Sequence, residues 1–125
     1  NVPIFVLTSS NTANVELPDW IPDTVQVVSM KSASPQEFWK QLERKGFSKA
    51  YIDGGSTIRT FLSAGLVNEL SLTYIPILLG RGIRLFDDEG NNNSSLQQHR
   101  QLELLSCQSF SNGFVVSKYK IVSQS

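Results

Sequence analysis

The run Asp53-Gly54-Gly55-Ser56-Thr57 constrains this chain more than any other segment. A short apolar strand candidate, Ala50-Tyr51-Ile52, leads into it, and Ile58, Phe61 and Leu62 follow on one helical face until Gly65 stops the helix. Strand, glycine turn and helix in succession are the units from which sheets with helices packed on them are built. Paired glycines also let backbone amides approach an anion closely, and the positive end of a helix favours a phosphate there. Ser56 and Thr57 add hydroxyls at the same end. A purely structural use stands beside this one, in which Gly55 or Ser56 caps the helix and serves no ligand.

The rest of the chain extends the alternation. Ile4-Phe5-Val6-Leu7 is an unbroken apolar run, the pattern of a strand covered on both faces. Val25, Val27 and Val28 mark a second strand, and Ser34-Pro35-Gln36-Glu37 is a capping box with proline at the first helical position. Phe38, Trp39 and Leu42 then share a helical face that ends at Gly46. Leu70, Leu72 and Tyr74 alternate with Ser71 and Thr73 in a strand running toward Leu79, with a bulge or strand edge expected at Pro76. After Gly80-Arg81-Gly82, the residues Ile83, Leu85 and Phe86 are expected to return to the core, and the polar stretch 87–95 reads as a flexible loop. Residues 102–110 and 114–121 flank Asn112-Gly113, the pair suited to a type I′ hairpin turn. The fold expected is α/β: a mixed, mainly parallel sheet flanked by helices and closed by an antiparallel hairpin.

Composition narrows the function. A chain of 125 residues makes one domain, residues 1–125. Eleven basic against eleven acidic residues leave no net charge, which argues against nucleic acid or an acidic membrane as partner. Cys107 is the single cysteine and His99 the single histidine, so neither a disulfide framework nor a Cys/His zinc cluster is expected, and a reducing, cytoplasmic setting fits best. No apolar run approaches the roughly 20 residues that cross a bilayer, and the start lacks the pattern of a signal peptide. The sequence opens on Asn1 and its one methionine is Met30, from which a processed chain or a fragment is expected.

Other candidate residues are fewer. The dinucleotide fingerprint G-x-G-x-x-G and the lysine-bearing P-loop are both absent, so a different nucleotide-binding architecture is needed. Thr8-Ser9-Ser10 follows the first strand, and in a parallel sheet ligands gather beyond the carboxyl ends of strands, the edge expected to carry Gly54 and Gly55 as well. Each hydroxyl taken singly also fits a simple turn. Arg81 and Arg84 are weak candidates for a substrate anion. His99 reads as a solvated side chain, Cys107 as a small buried strand residue, and Asp53 as a turn former rather than a catalytic acid.

Three blocks carry a wider resemblance. Tyr51-Ile52-Asp53-Gly54-Gly55-Ser56-Thr57-Ile58-Arg59-Thr60-Phe61-Leu62 resembles the cofactor segment of dihydrofolate-reductase-like proteins. Ala64-Gly65-Leu66-Val67-Asn68-Glu69-Leu70 and Pro76-Ile77-Leu78-Leu79-Gly80-Arg81-Gly82-Ile83-Arg84-Leu85-Phe86 resemble the riboflavin-biosynthesis reductase branch, the RibD C-terminal type, with asparagine at 68 where the branch commonly has aspartate. The resemblance implies the three-layer fold of that family and an NADPH site. In it Gly54, Gly55, Ser56 and Thr57 contact the pyrophosphate, Thr8 and Ser9 approach the adenosine ribose, and Ile58 lines the cofactor groove. It implies hydride transfer to a pterin-like or ribosylaminopyrimidine-like small molecule, with dihydrofolate reduction and a noncatalytic nucleotide-binding or dimerisation module as alternatives. In such families further strands and a helix precede the segment matching Ile4, so the chain is expected to be the C-terminal portion of the domain. Its partner is then a missing N-terminal segment or a second copy.

Overall fold

The computed structural model describes residues 2–10, 16–86 and 99–122. In chain order its elements are β1 (Ile4–Thr8), β2 (Val25–Ser29), α1 (Pro35–Arg44), α2 (Gly55–Ser63), β3 (Glu69–Tyr74), β4 (Leu102–Ser109) and β5 (Val115–Ile121). They fall into two compact units, Asn1–Ile52 and Asp53–Ser125. The stretch 87–95 read as a loop lies outside the described residues.

In the first unit β1 and β2 run parallel, in a register that pairs Ile4 with Val25 and Thr8 with Ser29. Phe5 meets Phe38 and Phe47 edge to face, with ring centroids 6.0 and 6.2 Å apart, so α1 and the residues after it cover one face of β1. Lys45 Nζ lies 5.9 Å from the Phe5 ring centre. Alternation does the rest: Ile4 and Val6 point to the other face and are 53% and 46% exposed, so the covering on both faces expected of this run is not found. The capping box of α1 is present as expected. Glu37 N donates to Ser34 Oγ at 3.2 Å and Ser34 N to Glu37 Oε2 at 2.9 Å. At the other end Gly46 N donates to the Glu43 carbonyl and Phe47 N to that of Leu42, the paired bonds of a Schellman motif.

The second unit holds α2 and a three-stranded antiparallel sheet in the order β3-β5-β4. Phe61 and Leu62 of α2 are buried, and α2 closes as α1 does, with Gly65 N bonded to the Leu62 carbonyl and Leu66 N to that of Phe61. β3 stops at Tyr74, short of the run toward Leu79 that was expected; Ile77 N donates to the Ile75 carbonyl in a three-residue turn on Pro76, so the chain leaves the sheet there instead of bulging. Every residue of β4 is exposed, Cys107 among them, although Ser117 Oγ on the facing strand donates to its sulfur at 3.7 Å. Cys107 is therefore not the buried residue expected, because β4 is the sheet's outer strand. Ile83 is 93% and Leu85 39% exposed, so this segment does not return to the core as a block.

Two further expectations are corrected. Residues 50–52 form no strand, and parallel pairing among the described residues is confined to β1 and β2, so the architecture is mixed α/β but not mainly parallel. Tyr51 and Ile52 supply β-propensity, yet a strand exists only through a ladder, and here the division between the two units falls directly after Ile52. The hairpin turn is at the expected place but of another type. Phe110 N bonds the Phe114 carbonyl, Gly113 N bonds the Phe110 carbonyl, and only Gly113 has positive φ, at 86°. A type I′ turn needs positive φ at both central residues, so the loop 111–113 is instead a type I turn followed by a left-handed glycine.

Candidate functional site

The first turn of α2 gathers Gly54, Gly55, Ser56, Thr57 and Ile58. Gly54 is the N-cap, with φ at 91°, a conformation in which an L side chain crowds its own backbone. It carries no capping side chain, and no acidic residue lies in the first turn of α2. Ile58 N closes the first helical bond on the Gly54 carbonyl at 2.9 Å, which leaves the amides of Gly55, Ser56 and Thr57 as the orphan donors of the helix end. The Gly54 amide has a different use: it donates to Asp53 Oδ1 at 2.8 Å. Gly54 thus contributes the shape of the turn, and Asp53 is engaged in forming it, as expected.

Gly55 is glycine for a second reason. A Cβ there would lie 3.3 Å from Arg59 Nη1 and 3.9 Å from Leu85 Cδ1. Arg59 is 6% exposed, and its Nη1 donates to the Leu85 carbonyl at 3.1 Å, binding α2 to the segment that carries Gly80-Arg81-Gly82. Sequence reasoning passed over Arg59. The available signal was its spacing of four from Gly55, which puts both on one helical face. Arg81 and Arg84 are exposed, and so is His99.

Thr8 and Ser9 lie in the first unit, at the carboxyl end of β1. Thr8 Oγ1 accepts from Ser10 N at 3.1 Å, and the Thr8 carbonyl accepts from Met30 N at 2.8 Å. Ser29, at the end of β2, donates through Oγ to the Ser10 carbonyl at 2.8 Å and accepts from Lys31 N at 3.3 Å. Ser10, Ser29 and Lys31 therefore belong with the hydroxyl turn. Nothing in the linear sequence joins residues 10 and 29; the parallel register does.

A shallow depression in the same unit, between Leu17 and Val25, is lined by Pro18, Pro22, Asp19 and Asp23. It holds none of the candidate residues, and two carboxylates suit it poorly to a phosphate. Among the described residues no His, Cys, Asp and Glu side chains are grouped to hold a metal ion, and no helix is long and apolar enough to cross a membrane.

Comparison with known proteins bears on this geometry. Over 66 residues the chain is 36% identical to the uncharacterized protein YyaP of Bacillus subtilis strain 168, a match covering 53% of this chain and 31% of that protein. The crystal structure of a protein from Shewanella sp. PV-4, named a putative riboflavin biosynthesis protein, superposes with a TM-score of 0.78 at 29% identity, covering 97% of this chain and 61% of that one. A pyrimidine reductase-like protein from Corynebacterium diphtheriae shares the fold, with a TM-score of 0.66 at 24% identity, over 80% of this chain and 40% of its own. The chain thus spans from about a third to three fifths of the length of these relatives. The family model of the RibD C-terminal domain matches residues 1–116. With the glycine turn, its helix and the mixed α/β architecture in place, the chain belongs to the RibD C-terminal domain family.

Proposed function

We propose that this chain is the cofactor-holding part of an NADPH-dependent reductase acting on a pterin-like or ribosylaminopyrimidine-like small molecule. The observation that carries the reading is the start of α2: three successive amides at Gly55, Ser56 and Thr57, no capping side chain, no first-turn carboxylate, and no Cβ at the two residues that enter the helix. Such an end suits a pyrophosphate, because the donors and the helix dipole act on the same charge. Family membership and the likeness to the Shewanella protein support the same ligand class.

In this reading the amides of Gly55, Ser56 and Thr57 hold the pyrophosphate, with the Ser56 and Thr57 hydroxyls beside them. Gly54 shapes the turn and lets the phosphate approach its Cα, since the nearest atom to a Cβ there would be Thr57 Oγ1 at 3.9 Å. Thr8 and Ser9 serve the adenosine ribose, and Ile58, half-buried in the first turn, lines the groove. Bound NADPH supplies the hydride; the chain's own residues bind and orient it and keep water from it. A second copy of the chain is the partner this reading assigns to the open face of β4, where Leu102, Leu104 and Leu105 are exposed.

Calorimetric titration with NADPH and NADH, on the wild type and on Gly55→Asp, tests the proposal. Saturable NADPH binding that vanishes in a folded Gly55→Asp variant is the expected result, because the added carboxylate puts a negative charge in the first turn of α2, beside the amides that hold the pyrophosphate. A folded wild-type chain that takes up neither nucleotide overturns it.

A further inference from the structure

We infer that Ser29 is a positioning residue for nucleotide selection, holding the hydroxyl turn of Thr8, Ser9 and Ser10 in a shape that accepts a phosphate on the adenosine ribose. The inference rests on the NADPH reading above and adds to it a residue outside the turn. Ser29 pairs with Thr8 at the last rung of the parallel ladder, and both strands leave the sheet there. Its hydroxyl is used in both directions: it donates to the Ser10 carbonyl at 2.8 Å and accepts from Lys31 N at 3.3 Å. Ser10 N is in turn held by Thr8 Oγ1 at 3.1 Å, and Met30 N by the Thr8 carbonyl at 2.8 Å.

One hydroxyl therefore ties the loop after β1 to the loop after β2, and its two bonds use the hydrogen and a lone pair that a serine offers. Alanine loses both bonds; threonine keeps them and suits a strand end. Ser9 sits exposed in the middle of the tied turn, and Lys31 is the single basic residue of residues 25–34. Hydroxyls and an ammonium at the carboxyl ends of adjacent parallel strands have the chemistry of a phosphoryl-group site. NADPH and NADH differ by one such group on the adenosine ribose, so a loosened turn acts on one nucleotide far more than on the other.

The test measures NADPH and NADH affinity for the full chain carrying Ser29, Ser29→Ala or Ser29→Thr, with thermal unfolding recorded alongside. Ser29→Ala should weaken NADPH by about fivefold, the scale of one hydrogen bond, while NADH changes less than about twofold. Ser29→Thr should restore the NADPH to NADH ratio. Equal weakening of both nucleotides, or a lower melting temperature with an unchanged ratio, means that Ser29 only braces the strands; this inference then falls and the NADPH reading stands. Wild-type protein that binds neither nucleotide overturns both. Should Ser29→Ala not fold, amide hydrogen exchange on the wild type decides. NADPH should slow exchange at Ser10 and Lys31 more than NADH does, and equal protection by the two overturns the inference.

Discussion

At the scale of single residues, the glycine pair divides its labour. Gly54 is held at a positive φ, so Gly54→Ala should destabilise the chain by about 1–2 kcal/mol. Gly55 has helical geometry, and a methyl there touches Leu85 Cδ1 and asks Arg59 Nη1 to give by a few tenths of an ångström, so Gly55→Ala should stay within about 0.5 kcal/mol of wild type as helix propensity offsets crowding. Urea unfolding of the two variants separates these cases; equal losses would contradict the division. The pair itself was legible in the sequence, since glycines between an apolar segment and a helical pattern have few other uses. Which glycine bends the chain and which makes room for a guanidinium was not, because the second role depends on Arg59 being drawn down onto the Leu85 carbonyl. Ser29 was hidden for a similar reason: its partner lies 19 residues away and becomes a neighbour only through strand pairing.

At the scale of elements, what is local was readable and what depends on a neighbour was not. Capping of α1 needs only four consecutive residues, and both bonds of the box form. Ser34→Ala should cost about 1 kcal/mol, visible as a lower urea midpoint at unchanged slope. The hairpin lay where Asn112-Gly113 put it, yet its type was decided by how the strands meet, with Asn112 Oδ1 accepting from Phe114 N at 3.1 Å. A Cβ on Gly113 would sit 3.1 Å from Pro76 Cγ in addition to its positive φ, so Gly113→Ala should exceed the loss at Gly54 in the same assay. Residues 50–52 have the propensity of a strand without a ladder, and propensity alone could not reveal that. In the sheet, Lys120 of β5 stands between Glu69 of β3 and Glu103 of β4. Lys120→Glu makes both cross-strand pairs repulsive and should destabilise by about 1 kcal/mol, less in high salt.

At the scale of the whole molecule, the sequence made the α/β class and the glycine-led helix visible, while the extent of burial escaped it. Apolar residues of the runs 4–7 and 83–86 were expected in the interior, but Ile4, Val6 and Ile83 are open to solvent. If a second copy covers β4, sedimentation velocity should show a concentration-dependent dimer that Leu104→Glu abolishes without unfolding the chain; a monomer at all concentrations removes that assignment. The order β3-β5-β4 has a consequence for synthesis as well. Of these three strands the one made after the other two is in the middle, so on the ribosome residues 69–74 and 102–109 emerge before the strand that pairs with both. A nascent chain halted before Val115 lacks both ladders at once, and its exposed edges are an invitation to aggregate until the seven residues of β5 arrive.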